Sequence, residues 1–180
     1  MTICLAKIED DGIYVAAERC GITNQKPFNS KIIKIQNFPE VIILISGGLD
    51  HWKLVVNEYP NQIQPTLNHA VKRIAELLKQ RTELHNDNHA LVCGYENKTP
   101  KIYRIDKFES KHMEEPQQTK GYNIEPLGKP NLAILAAQKA HELYASGHSL
   151  SEALEEGIKS QKDPNFVVPP VDLDILLPPQ

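Results

Sequence analysis

The chain has 180 residues, 41% of them hydrophobic and 24% charged, with a net charge of −3. That balance suits a soluble globular protein with a core of its own, and it argues against nucleic acid or a membrane surface as partner. No apolar run reaches the length of a membrane span, and no basic stretch followed by an apolar one opens the chain, so a cytoplasmic protein is expected. Three cysteines, Cys4, Cys20 and Cys93, are odd in number and lack C-x-x-C spacing. All fall in or beside apolar strand-like segments, which predicts reduced core thiols rather than disulfides or a metal site.

Strands come first. Ile3 to Ile8 and Ile13 to Ala17 alternate around Asp11-Gly12, a dipeptide that favours a tight hairpin turn because both central residues take positive φ. Lys31 to Ile35 reads as a short third strand. Val41 to Ile45 is an unbroken apolar run, as in a strand covered on both faces.

Two helices follow, one from Gly48 to before Pro60 and one starting near Pro65. In the second, Leu67, Ala70, Val71, Ile74, Leu77 and Leu78 recur at helical spacing with Lys72, Arg73 and Lys79 opposite. Ala90 to Tyr95 and Lys101 to Asp106 then flank a polar turn, Glu96 to Pro100, as a second hairpin. Residues 107–121 are polar and unpatterned and read as a loop, with a short strand at Tyr122 to Ile124.

Asn131 to Ser146 predicts a helix stopped by Gly147. Ser149 and Glu152 form an S-x-x-E box that starts another helix, reaching about Lys159. Val171, Leu173 and Ile175 alternate with Asp172 and Asp174 in a last strand, whose flanking prolines suit a sheet edge. Segregated runs of strands and helices argue for an α+β fold, and no linker or repeat divides residues 1–180, so one domain is expected.

Few residues carry obvious chemistry. No phosphate-binding loop, dinucleotide fingerprint, zinc-helix motif or serine elbow is present. His85 and His89 read as surface histidines about an Asn86-Asp87-Asn88 turn rather than a metal pair. Glu155-Glu156 and Glu114-Glu115 read as solvated faces. What remains is Thr2. With Met1 removed, one residue would offer a hydroxyl nucleophile and a free α-amine titrating near pH 7.7–8, a base able to take the hydroxyl proton. With Met1 retained, Thr2 is an ordinary strand residue.

Several ordered segments resemble the proteasome β-subunit group of N-terminal-nucleophile threonine peptidases, including its bacterial ring-forming relatives. Thr2 opens the first strand, as the mature threonine does there. "DGIYVAAER" is similar to the family's second strand, which ends in a carboxylate, here Glu18. "SKIIKI" is similar to the segment with the catalytic lysine, here Lys31. "ISGGLD" matches the turn whose first glycine N–H forms the oxyanion hole, here Gly47. "ALVCGYENKTPKIYRID" looks like the family's central hairpin. Five matches in family order over residues 2–106 are specific together, though none is alone.

The resemblance implies a four-layer αββα sandwich and peptide hydrolysis through an ester on Thr2. Its amine would act as base, Lys31 would lower the hydroxyl pKa, Glu18 would position Lys31, and the Gly47 N–H would stabilise the oxyanion. It implies a pocket lined by Ile45 and Leu49, and no metal or organic cofactor. It also implies peptide or unfolded-protein substrates, a homo-oligomeric ring and an unfoldase partner.

Departures are evident. Glu18 stands for the family's aspartate, and Leu127-Gly128-Lys129 lacks the family's serine. Asp163 matches a supporting aspartate, but Phe166 occupies the place of its serine. Glu18 as a purely structural partner of Lys31 or Arg19 stays open. So do two rival functions, a silent assembly subunit and a small-molecule amidase or acyl-transfer enzyme.

Overall fold

The structure, a computed structural model, describes residues 3–18, 20–23, 26–29, 35–38, 40–47, 66–80, 88–107, 116–120, 123–161 and 170–179. Two antiparallel sheets and three α-helices organise them, an α+β arrangement as expected.

The first sheet has the order β10-β1-β2-β11, from Glu125–Gly128, Ile3–Glu9, Gly12–Glu18 and Val171–Leu176. The second runs β5-β6-β7-β8-β9, from Ile35–Phe38, Val41–Ser46, Asn88–Glu96, Thr99–Lys107 and Gln117–Gln118. A separate ribbon pairs β3 (Cys20–Thr23) with β4 (Lys26–Asn29). Helix α1 is Leu67–Gln80, α2 is Pro130–Ala145 and α3 is Leu150–Lys159.

Alternation along the strands sorts the apolar side chains into three cores. Cys4, Ala6, Ile13, Val15 and Ala17 of the first sheet meet Ile42, Leu44, Leu91, Cys93 and Ile102 of the second. Ile3, Leu5 and Ala16 point the other way, onto α2 and α3. Val41, Ile43, Ile45 and Val92 pack under α1. The unbroken run in β6 is thereby explained, since its successive residues feed two different cores.

Both helix-end signals hold. Past the end of α2, Gly147 at φ +99° lets its own N–H reach the Tyr144 carbonyl and the His148 N–H reach that of Leu143, a Schellman stop. At α3 the Glu152 N–H donates to Ser149 Oγ at 3.3 Å while the Ser149 N–H donates to the Glu152 carboxylate at 3.1 Å. Ser149→Ala removes both the acceptor and the reciprocal fit, and a loss of about 1 kcal/mol in urea unfolding is expected. On the outer face of α3, Glu155 and Glu156 pair with Lys159, surface contacts that fit the reading of a solvated face.

Four expectations need correction, and one ribbon was not foreseen. The first hairpin turns at Asp10-Asp11, because Glu9 pairs with Gly12. Gly12 is required instead by close approach, since a Cβ there would lie 3.0 Å from the Leu176 carbonyl oxygen. The second hairpin turns on two residues, Asn97 and Lys98, both at positive φ, rather than over Glu96 to Pro100. The strand expected at Tyr122 to Ile124 is β10, shifted onward to pair with β1. β9 lies within the expected loop 107–121, and the β3–β4 ribbon had no counterpart in the sequence reading.

The third strand was expected at Lys31 to Ile35. Of it only Ile35 is described, and β5 continues to Phe38. The helix expected from Gly48 lies outside the described residues. Cys4 and Cys93 are buried thiols outside any disulfide, as expected, and burial pushes the Cys93 thiol far up. The Cys20 side chain lies outside the described residues.

Candidate active site

The start of β1 sits mid-sheet, between β10 and β2. Ile3 pairs with Gly128 on β10, and the register Cys4↔Ala17 leaves Glu18 of β2 beside it. Glu18 is 0% exposed, and its Oε1 accepts a hydrogen bond from the Ile3 N–H at 3.0 Å. A carboxylate is costly to bury without such a donor. The Glu18 side chain reaches from its own strand to the backbone of the next. Glu18 is thus bonded to the residue that follows Thr2. Thr2 itself, Lys31, Leu49 and Asp163 lie outside the described residues.

Gly47 follows the end of β6 at φ +134°, a conformation that glycine takes without strain. Ile45 is 4% exposed and packs in the core beneath α1. Among the described residues no group of three or more His, Cys, Asp or Glu gathers to hold a metal ion.

A polar row crosses the second sheet next to Gly47. Ser46 on β6 lies opposite His89 on β7, which lies opposite Asp106 on β8. Alternation puts all three on the face of Leu44, Leu91 and Ile102, toward the gap between the sheets. His89 Nδ1 and Asp106 Oδ1 are 2.7 Å apart. Arg104 Nε donates to Asp106 Oδ2 at 2.7 Å, and Arg104 Nη1 donates to the Pro126 carbonyl of β10 at 2.9 Å.

His89 is therefore not the surface histidine expected; it is 8% exposed and lies within a strand, while His85 lies outside the described residues. A sequence signal existed. Counting outward from a turn at Asn97-Lys98 puts His89 against Asp106.

Burial pushes the Asp106 carboxyl up, but hydrogen bonds and charge from His89 and Arg104 outweigh it and leave the pKa below the ordinary carboxylate value. The sign follows by linkage. A lowered folded-state pKa gives stability that is full above the unfolded value, near 3.9, and is lost as pH falls through the folded one. Asp106→Asn should therefore lower the urea midpoint at pH 7 and flatten its decline below about pH 4 relative to wild type.

No family model matches the chain, and no curated protein matches it. Among solved structures it is similar to BPH of Thiobacillus denitrificans, alone and in complex with epoxomicin. Each comparison gives a TM-score of 0.69 at 11% identity over 99% of this chain, and covers 100% of the epoxomicin-bound chain and 99% of the other. The likeness is one of fold. The two proteasome-like structures share the course of this backbone, while nearly nine residues in ten differ.

Proposed function

We propose that the chain is a proteasome-type hydrolase that uses Thr2 as nucleophile once Met1 is removed. The observation that carries this reading is the Glu18 carboxylate, wholly buried and bonded to the Ile3 N–H, where a group serving Thr2 belongs. The fold likeness to a protein solved with epoxomicin supports it.

In the proposed reaction the Thr2 amine takes the Oγ proton while Oγ attacks the peptide carbonyl carbon. The Gly47 N–H receives the oxyanion. The C–N bond then breaks, the proton passes to the leaving amine, and water hydrolyses the ester to restore Thr2. Lys31 favours the ionised hydroxyl, Glu18 positions Lys31, Asp163 supports the amine, and Ile45 and Leu49 border an apolar pocket. A helix from Gly48, as expected from the sequence, would share α1's layer of a four-layer αββα sandwich, and a homo-oligomeric ring would enclose the sites.

Intact mass and epoxomicin labelling test this. The expected result is a mass lacking Met1 and one adduct per chain, lost in Thr2→Ala, with hydrolysis of a fluorogenic peptide. Met1 retained in protein from its native host, or no adduct, overturns it. A silent assembly subunit is the rival, favoured by Gly128, which offers no hydroxyl opposite Ile3. The same measurement decides between them.

A further inference from the structure

The proposed site is divided between two sheets. Ile3, the residue after Thr2, and Glu18 belong to the first, and Gly47 follows a strand of the second. Between the sheets lies a core of aliphatic and sulfur side chains. Such packing draws the two sheets together without directional bonds, whereas a hydrogen-bonded contact across the gap holds one named backbone atom against a named side chain. Catalysis by a nucleophile on one sheet and an oxyanion donor on the other depends on that offset.

We infer that Arg104, Asp106 and His89 form a strut that fixes this offset, and that each is a positioning residue for the proposed reaction. The inference rests on the reading of Thr2 and Gly47 given above. The strut starts at the Pro126 carbonyl, on the strand that pairs with β1; Pro126 lies opposite Leu5, two residues along from the Ile3↔Gly128 pair. It passes through the Arg104 guanidinium to Asp106 Oδ2 and from Asp106 Oδ1 to His89, opposite Ser46, the residue before Gly47. Its three contacts measure 2.9, 2.7 and 2.7 Å.

Two features separate a strut from ordinary packing. The first is its cost. Asp106 is mostly withdrawn from water while Arg104 keeps about a third of its side chain exposed, so the pair pays part of the desolvation that apolar side chains would avoid, and its return lies in directional registration. The second is its placement. At the far end of the gap Tyr95 Oη donates to the Leu176 carbonyl at 3.2 Å, so the sheets are pinned at both ends, and the charged pin is the one beside Gly47.

Arg104→Lys is the discriminating variant. It keeps the positive charge, but a single ammonium lacks the planar fork that holds Asp106 and the Pro126 carbonyl together. Asp106→Asn and His89→Gln interrupt the strut at its other joints. Each variant, and wild type, is measured for peptide hydrolysis, for the rate of epoxomicin adduct formation and for its urea midpoint. Ser149→Ala, which loosens α3 away from the site, serves as the stability control.

A displacement near 1 Å between reacting groups costs about 10²-fold in rate. The expected result is therefore a fall of that order in kcat and in adduct rate for Arg104→Lys and Asp106→Asn, with KM within about twofold of wild type. Ser149→Ala keeps wild-type kcat. Wild-type rates in Arg104→Lys and Asp106→Asn overturn the strut, as does a loss no larger than Ser149→Ala shows at equal midpoint. A wild-type protein that forms no adduct overturns the threonine reading first, and the strut's role with it.

Discussion

Replacing Glu18 by alanine should lower stability by about 3 kcal/mol, whereas Glu18→Gln should cost about 1 kcal/mol yet slow peptide hydrolysis by about 10²-fold. The two variants part company because the side chain has two tasks. Alanine removes the acceptor of the Ile3 N–H, which is satisfied by Oε1 at 3.0 Å. A buried donor left without a partner costs about 1–3 kcal/mol, and the emptied volume adds to it. Glutamine keeps an oxygen at the same reach but gives up the charge and turns the other oxygen into an NH2 donor, trading a charge-assisted hydrogen bond to the Ile3 N–H for a neutral one. Under the proposed mechanism that charge positions Lys31, so chemistry suffers while the strand stays clasped. Urea unfolding beside single-turnover kinetics checks both. A glutamine variant that turns over like wild type would make Glu18 a clasp for β1 and nothing more.

Gly157→Ala should destabilise the protein by about 1–3 kcal/mol, although the same change on an open helix gains about 1 kcal/mol. The reversal comes from the crossing of α2 and α3. A Cβ at Gly157 would stand 2.6 Å from the Ala136 carbonyl oxygen and 2.8 Å from the Ala140 Cβ. Neither atom is the far end of a flexible side chain, so the helices themselves must part. Ala133, Ala136, Ala137 and Ala140 are all buried along α2, and this row of small residues is what allows so close a crossing. Gly157→Leu should cost more than the alanine variant, for it needs room for a whole side chain. A fall of roughly 2–4 °C in Tm per kcal/mol, for a chain of this size, makes either change visible by thermal melting.

Features encoded within a few residues were legible in the sequence. Helix α1 was announced by apolar spacing along its own length, and α2 and α3 by Gly147 and the Ser149–Glu152 box, signals each confined to a turn or so. Strands β1, β2, β7 and β8 were announced by apolar composition, β6 by its unbroken apolar run and β11 by alternation. Long-range pairing was not legible. β10 has no strong alternation, and it is a strand because β1 offers it an edge. The Asp11-Gly12 dipeptide misled because Gly12 answers to Leu176, far along the chain, rather than to a turn.

The candidate site divides in the same manner. Glu18 and Gly47 could be named from short segments, but their partners could not. His89 looked like a surface residue because its neighbours Asn86, Asp87 and Asn88 are polar. Its environment is set by β6 and β8 on either side, and by Arg104 reaching toward β10.

The order of strands in the first sheet carries a consequence for biosynthesis. β1 and β2 leave the ribosome early, but their outer neighbours come from residues 125–128 and 171–176. At translation speeds of 5–20 residues per second, roughly ten to thirty seconds separate the first hairpin from the strand that completes its sheet. Until residues 125–128 emerge that hairpin lacks both flanks, and until residues 171–176 follow β2 still lacks its outer partner beside Glu18, so any cutting activity proposed there is withheld from the nascent polypeptides around it.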